Sequence, residues 1–388
     1  MSSERPTIGI TGEWIGTQAG GLEAYSRSLI AALGQARGHH DLRVYIARRD
    51  ALAGVAGIET RFLGVQSRAL FNGAALPFEL LRRPPDLLHV TSIPPLFSRV
   101  PYIMTVHDLG HKVMPDMYPP RIRWRLDKTI GMGIRRARHI ICVSEATRED
   151  LMHYYPQLDD SRVHVIGEGG LLDSSPADSE TEQQTRARYG LGQGYFLYVG
   201  RLHVRKNLLA LVDAFAALPE DIRGTHPLVL VGRAMYGGNE ITDQIAALGI
   251  SEQVILTGHV PDADLPALYR GASAFVYPSL FEGFGLPPLE AMSMGVPVIT
   301  SDRHSLPEVV GDAGLCVDAN GPDQLREAMQ SLATDEALRA DLIARGLARA
   351  KLFTWERAAE QTARIYDIAL SETSRNRFFF SRPPANIL

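Results

Sequence analysis

Glu282-Gly283-Phe284-Gly285-Leu286-Pro287-Pro288-Leu289-Glu290 follows the apolar run Ala274-Phe275-Val276-Tyr277-Pro278. The pair reads as a strand, a glycine-proline turn and a short apolar helix. Gly283 and Gly285 carry no Cβ, so a ligand can approach their backbone closely, and Pro288 suits the first position of the helix. A sugar or phosphate fits against such amides. Glu282, ending the strand, and Glu290, in the first helical turn, are expected to face one crevice, where each carboxylate accepts two hydroxyl hydrogens of a vicinal diol. The plainer alternative makes Glu290 a charge favoured by the helix dipole and Glu282 a solvated turn residue.

Outward from this segment, short apolar runs alternate with amphipathic stretches, the mark of βα units around parallel sheets. The alternation occurs twice. One series of expected strands lies near residues 7–11, 42–47, 86–90, 102–106, 139–143 and 162–166, with a helix over 22–33 between the first two. The other covers 195–199, 227–231, 253–257, 274–277 and 296–300, followed by helices from about Gln324, Glu336 and Trp355. The polar stretch from Asp173 to Thr185 interrupts the periodicity. The expected fold class is therefore α/β, with two Rossmann-like domains facing each other across a deep cleft. Their boundaries are read as 1–172, a linker 173–190, 191–370, and a tail 371–388 that packs on the first domain or stays loose.

Composition fits this size and class. The chain has 388 residues, 45% hydrophobic and 22% charged, which is ordinary for a globular protein. Forty basic residues oppose 44 acids for a net charge of -4, so a global grip on nucleic acid is not expected. Cys142 and Cys316 offer no disulfide framework and suit a reducing compartment. No apolar run reaches the roughly 20 residues that span a bilayer. The expected location is cytoplasmic, with peripheral contact on the inner face of the membrane as an addition.

Several constellations fall at expected strand ends. Arg201, directly after Tyr195-Phe196-Leu197-Tyr198-Val199-Gly200, and Lys206-Asn207, opening a helix, form a cationic site for a diphosphate. In the first domain, Gly20-Gly21 precedes a helix and presents amides to an anion, or is merely a flexible loop. Gly190-Leu191-Gly192-Gln193-Gly194 precedes a strand and is no dinucleotide fingerprint. His107-Asp108 ends the run from Tyr102 and places an imidazole where it hydrogen-bonds a ligand, moves a proton or is structural. No metal set is read: Gly110 disfavours a helix joining His107 to His111, and Asp262-Ala263-Asp264 reads as an N-cap. From Lys112 to Arg138, eight basic residues oppose Asp116 and Asp127 with Trp124 and Tyr118 interspersed. That is a basic amphipathic surface for anionic lipid, or a solvated helix face.

Taken together, these residues resemble the retaining glycosyltransferases of the GT-B fold, specifically glycosyltransferase family 4. The resemblance runs through Gly20-Gly21, Thr105-Val106-His107-Asp108, Val143-Ser144-Glu145, Gly200-Arg201 with Lys206-Asn207, Gly258-His259-Val260, and Glu282 to Glu290. It implies that Arg201 and Lys206 hold the donor diphosphate. It also places Glu282 with Gly283 and the amides of Phe284, Gly285 and Leu286 around the donor sugar, Glu290 on the ribose, Val260 at the nucleobase and His107 near sugar and phosphate. The implied reaction moves a hexose from a nucleotide sugar to a glycan or lipid-linked acceptor hydroxyl, without metal or other cofactor. Similarity to bacterial mannosyltransferases of surface polysaccharides makes GDP-mannose the first donor expected, with UDP-linked sugars as the alternative. The rival functions are a non-catalytic sugar-nucleotide-binding subunit and a nucleotide-sugar epimerase or phosphorolytic enzyme on the same architecture. One departure stands out: Ile166-Gly167-Glu168-Gly169-Gly170 carries a carboxylate where many relatives have asparagine-glycine, so contacts there do not carry over.

Overall fold

A computed structural model describes residues 5–17, 20–36, 38–170, 178–233 and 238–380. The chain divides into two compact units, Met1–Gly169 with Trp355–Leu388, and Gly170–Thr354.

The first unit is built on seven strands: β1 (Thr7–Gly12), β2 (Asp41–Ile46), β3 (Ile58–Phe62), β4 (Leu87–Val90), β5 (Tyr102–Val106), β6 (Ile140–Cys142) and β7 (Val163–Val165). All pair parallel in the order β3-β2-β1-β4-β5-β6-β7. Parallel neighbours need crossover helices, which cover the faces of the sheet, so its strands read as continuous apolar runs. Accordingly β4, β5 and β6 are buried along their whole length. Leu88, Val90, Met104, Val106, Ile140 and Cys142 pack with Phe71, Leu76, Leu80 and Ile134 in one core. Burying each such side chain is worth about 1.5–3 kcal/mol.

The second unit holds β8 (Tyr195–Val199), β9 (Leu228–Val231), β10 (Val254–Gly258), β11 (Ala272–Tyr277), β12 (Val298–Ser301) and β13 (Gly314–Val317). They too are all parallel, in the order β10-β9-β8-β11-β12-β13. Each sheet therefore reverses its winding once, between β1 and β4 in the first and between β8 and β11 in the second. Ligands of open α/β sheets bind beyond the carboxyl ends of the strands at such switch points.

Three expectations need correction. The helix Trp355–Phe380 belongs to the first unit, not to a second domain running to 370. Its buried Trp355, Ala358, Ala359, Ile365, Tyr366 and Ala369 form a face that packs on the helix Gly21–Gln35, and Tyr366 reaches the sheet. The expected tail 371–388 continues this helix as far as Phe380; residues 381–388 lie outside the described ones. The expected linker is in part a helix, Ser179–Ala187, started by an Asp178 cap on the Thr181 amide at 2.8 Å and assigned to the second unit. Its Arg186 is buried and donates to the Ala267 carbonyl at 3.3 Å, which draws the segment onto that unit.

Candidate active site

The switch point of the second unit gathers its charges from two adjacent strands. After β8, the chain makes a single 3-10 turn, Val204–Lys206, and Asn207 then adopts a left-handed conformation (φ 57°) before the helix Leu208–Ala216. Asn tolerates this region better than most residues, and its side chain donates to the Ala319 carbonyl at 2.8 Å. Lys206 thus closes the turn before the helix, not the helix itself. It is buried and donates to the Tyr277 hydroxyl at 2.6 Å and to Glu282 Oε1.

Glu282 lies in the loop beyond β11, whose last residue is Tyr277. Besides Lys206, its carboxylate accepts from Ser279 Oγ, and the Arg205 guanidinium stands 4.0 Å from Oε2. Its backbone carbonyl accepts from Ser305 Oγ at 2.8 Å and from His304. The two loops are stitched together because the Arg205 carbonyl accepts from the Leu280 amide at 2.9 Å. Burial pushes the Glu282 carboxyl up, but Lys206 and Arg205, with hydrogen bonds from Lys206 and Ser279, outweigh it and hold the group at about 2. Burial pulls the Lys206 ammonium below its ordinary value while the Glu282 charge pulls it back. The chemistry is that of a charged pair: an acceptor-only carboxylate fixed against a cation with donors to spare.

Glu290 behaves differently. The helix begins at Leu286, so Pro287 and Pro288 fill its second and third positions and Glu290 the fifth. Pro288 is thus not at the helix start, and Glu290 lies beyond the first turn. Proline is harmless this early because its missing N–H would have had no partner there. Glu290 is buried with Tyr269 donating to Oε2 at 3.0 Å. Burial pushes its carboxyl up to about 8, with Asp262 adding to the rise and the Tyr269 hydrogen bond opposing it. Glu282 thus bonds to Lys206 and Ser279 and Glu290 to Tyr269, and an aromatic row, Tyr198-Tyr277-Phe275-Tyr269, runs between the two carboxylates at centroid spacings of 5.6, 5.8 and 5.4 Å.

Glycines shape this edge. Gly232, after β9, has φ 146°, and a Cβ there would meet the Gly200 carbonyl oxygen at 1.8 Å. Gly285, with φ 122°, turns the chain into the helix, and a Cβ would press on Leu306 at 3.0 Å. Phe284 and Leu286 bury their side chains, leaving their backbone as what a ligand can meet, and Val260, just past β10, is buried likewise. Arg201 is exposed at the end of β8, its carbonyl accepting from Tyr198 at 3.0 Å. Arg205 stands beside Glu282. Sequence reading passed over it, although three basic residues within six positions after a strand were the available signal.

In the first unit, His107 follows β5. Its Nε2 donates to the Thr91 carbonyl at 2.9 Å, Nδ1 lies 3.5 Å from Glu168 Oε1, and Tyr25 stands edge-on at 4.6 Å. Glu168 is itself buried, so the residue that departs from the family pattern is the neighbour of the expected site histidine. Behind them runs a buried chain: Tyr25 to Thr105 at 3.0 Å, Thr105 to His89 at 2.8 Å, His89 to Tyr366 at 2.7 Å. Burial, with a smaller push from His107, holds the His89 imidazole down at about 3, so it is neutral. Gly20 (φ 69°) precedes the helix Gly21–Gln35, and a Cβ on Gly21 would meet nothing within 4 Å. Gln18 and Ala19 lie outside the described residues. Glu13, also missed, is fully buried after β1 with Oε1 3.4 Å from the Ile93 amide and Oε2 unpartnered. No helix joins His107 to His111, as the helical turn begins only at Gly110 and spans Gly110–Val113 with His111 buried in it. Asp264 makes no capping hydrogen bond; it accepts from Arg188 at 2.9 Å and Tyr189 at 2.6 Å.

Residues 180–349 match the model of glycosyl transferases group 1, and residues 19–169 match that of glycosyltransferase family 4. The chain is 38% identical over 273 residues to the O-antigen chain mannosyltransferase B of Escherichia coli, covering 69% of this chain and 70% of that one. Among solved structures it is similar to a sucrose-phosphate synthase from Thermosynechococcus elongatus (TM-score 0.76, 22% identity, 95% and 100% of the two chains). It is also similar to the Anabaena protein HepE in complex with UDP and glucose (TM-score 0.73, 19% identity, 93% and 99%). Two wholly parallel sheets, a charged switch point and matches that run across both units agree on one assignment: this chain belongs to glycosyltransferase family 4 and is a glycosyltransferase of the GT-B fold.

Proposed function

We propose that the enzyme moves mannose from GDP-mannose to a hydroxyl of a glycan or lipid-linked acceptor, with retention at the anomeric carbon, in polysaccharide or glycolipid synthesis. The observation that carries the donor side is the buried Lys206–Glu282 pair with Arg205 beside it, set where β8 and β11 part. The mannosyltransferase relative supports the sugar.

As the bond to the diphosphate lengthens, negative charge grows on the leaving group and the sugar gains oxocarbenium character. Lys206, Arg205 and the exposed Arg201 are cations placed to meet that charge without reorganising. Such a site makes the transfer metal-independent. Glu282, kept ionised, accepts donor-sugar hydroxyls, and the backbone from Gly283 to Leu286 lies against the same ring. Glu290 serves the ribose, Val260 the base. A donor phosphate oxygen helps take the acceptor proton on the face that the leaving group vacates.

We also propose peripheral contact with anionic membrane at the cytoplasmic face. No helix among the described residues is long and apolar enough to cross a membrane. The helix Pro120–Arg136, however, exposes Trp124 (66%) and Ile122 (41%) among Arg121, Arg123 and Arg125. Aromatic and basic side chains side by side favour an anionic interface.

The test is transfer of radiolabelled sugar from GDP-mannose, UDP-glucose and ADP-glucose, with and without EDTA. Transfer of mannose alone, unaffected by EDTA, is expected. Transfer only from a UDP- or ADP-sugar overturns the donor, and inverted product stereochemistry by NMR overturns the mechanism. Cosedimentation with anionic vesicles that is unchanged in W124A/R123E overturns the membrane face.

A further inference from the structure

Helix Trp355–Phe380 returns to the first unit with an acid, Asp367, beside two adjacent histidines. His39 and His40, just before β2, both aim Nε2 at the same oxygen, Asp367 Oδ1, at 3.0 and 2.9 Å. The three atoms lie within 4.8 Å of one another, and among the described residues no other group of His, Cys, Asp or Glu is so arranged. The His40 side chain is 4% exposed and its ring stands edge-on to Tyr366 at 5.8 Å, so packing fixes its aim. The His39 ring is tilted 44° to it at 4.5 Å.

Hydrogen bonding alone is a poor account of two imidazoles on one half-exposed carboxylate, because such exposed pairs gain little in water. Two imidazole nitrogens and a carboxylate oxygen are, by contrast, a donor set that suits Zn²⁺ and its neighbours. Bonds of about 2.0–2.1 Å in a tetrahedral site set neighbouring ligands roughly 3.3 Å apart. The two N···O contacts need open by only a few tenths of an ångström to seat an ion. His39, at 72% side-chain exposure, and Asp367, at 47%, leave the remaining position to water.

We propose that His39, His40 and Asp367 form a binding site for a divalent transition ion of the zinc class, which fastens the C-terminal helix to the segment entering β2. The site is separate from the transferase residues, and its ion is structural.

The full chain, with any affinity tag removed and after stripping by chelator, is titrated with Zn²⁺ by calorimetry and with Co²⁺ by absorption. One saturable ion per chain is expected, with a rise in Tm and a Co²⁺ spectrum free of a thiolate band. His39→Ala removes an exposed ring and Asp367→Asn keeps the side-chain shape, so both fold; each should weaken binding by at least about tenfold and abolish the rise in Tm. Absence of saturable binding overturns the proposal. So does affinity unchanged in both variants, or a thiolate band that puts the ion on Cys316.

Discussion

The switch point of the second unit is built on a buried ion pair, whereas behind the corresponding edge of the first runs a chain of neutral hydrogen bonds. Around β8 and β11, Lys206 and Arg205 keep Glu282 ionised in a buried setting. Around β1, β4 and β5, Thr11 and Thr91 pair at 3.1 Å and the Tyr25-Thr105-His89-Tyr366 chain carries no charge. One architecture thus yields two chemistries, because the residues just beyond the strand ends, not the sheet, decide what an edge can bind. A diphosphate demands fixed cations, and the neutral Tyr25-Thr105-His89-Tyr366 chain supplies none.

The sharpest way to break the contrast is K206A. It removes leaving-group stabilisation and strands Glu282 as a buried charge, so kcat should fall by about 10²–10³ and stability by about 3–5 kcal/mol, read by transfer assays and denaturant melts. If kcat stays within threefold, charge is not what the second edge contributes.

E290Q probes a carboxyl of that edge whose hydrogen-bond partner is the neutral Tyr269. Its native pKa, about 8, lies above the ordinary 4.5. The native state therefore keeps its proton longer than the unfolded chain, so stability is full below pH 4.5 and is lost as pH rises to about 8, at up to roughly 1.4 kcal/mol per pH unit. Glutamine should flatten that slope in chemical denaturation across the window. Glu282 has the opposite sign: its stabilisation is present above pH 4.5 and fades as pH falls towards 2. Persistence of the 4.5–8 slope in E290Q would assign it to another group.

Y366F addresses the neutral edge. It leaves His89 Nδ1 without its partner at a fully buried position and should cost about 1–3 kcal/mol, with donor KM unchanged. The smallest effect on stability is expected for R205A. Arg205 is partly exposed and 4.0 Å from Glu282, so its loss should cost about 0.2–1 kcal/mol, and as one of the cations that meet the leaving group its removal should lower kcat, by less than K206A does.

Much of this was legible in the chain. Buried parallel strands announce themselves as apolar runs, and β1, β5, β8 and β9 fall where Ile, Val, Leu and Tyr cluster. The edge strands β3 and β13 escaped notice because they lie at the margins of their sheets, and Ile58-Glu59-Thr60-Arg61-Phe62 is half polar with little buried. That Arg201, Lys206, Glu282 and His107 lie in the segments beyond strand ends follows from local pattern. Pairings do not. Nothing in spacing says that Lys206 meets Glu282 while Glu290 meets Tyr269, nor that Glu168 lies by His107, since those contacts join segments brought together by crossovers. Trp355–Phe380 was misplaced for a related reason: an amphipathic helix shows that it buries a face, not which partner receives it.

That helix gives the polypeptide two crossings between its units, at 169/170 and again at 354/355. The second unit is one uninterrupted stretch and can be cut out as such; the first is a split gene product in miniature. A stop codon after Thr354 would strip Tyr366 from His89 and damage the amino-terminal half of the protein, so deletion mapping read along the linear chain would assign the lesion to the wrong unit.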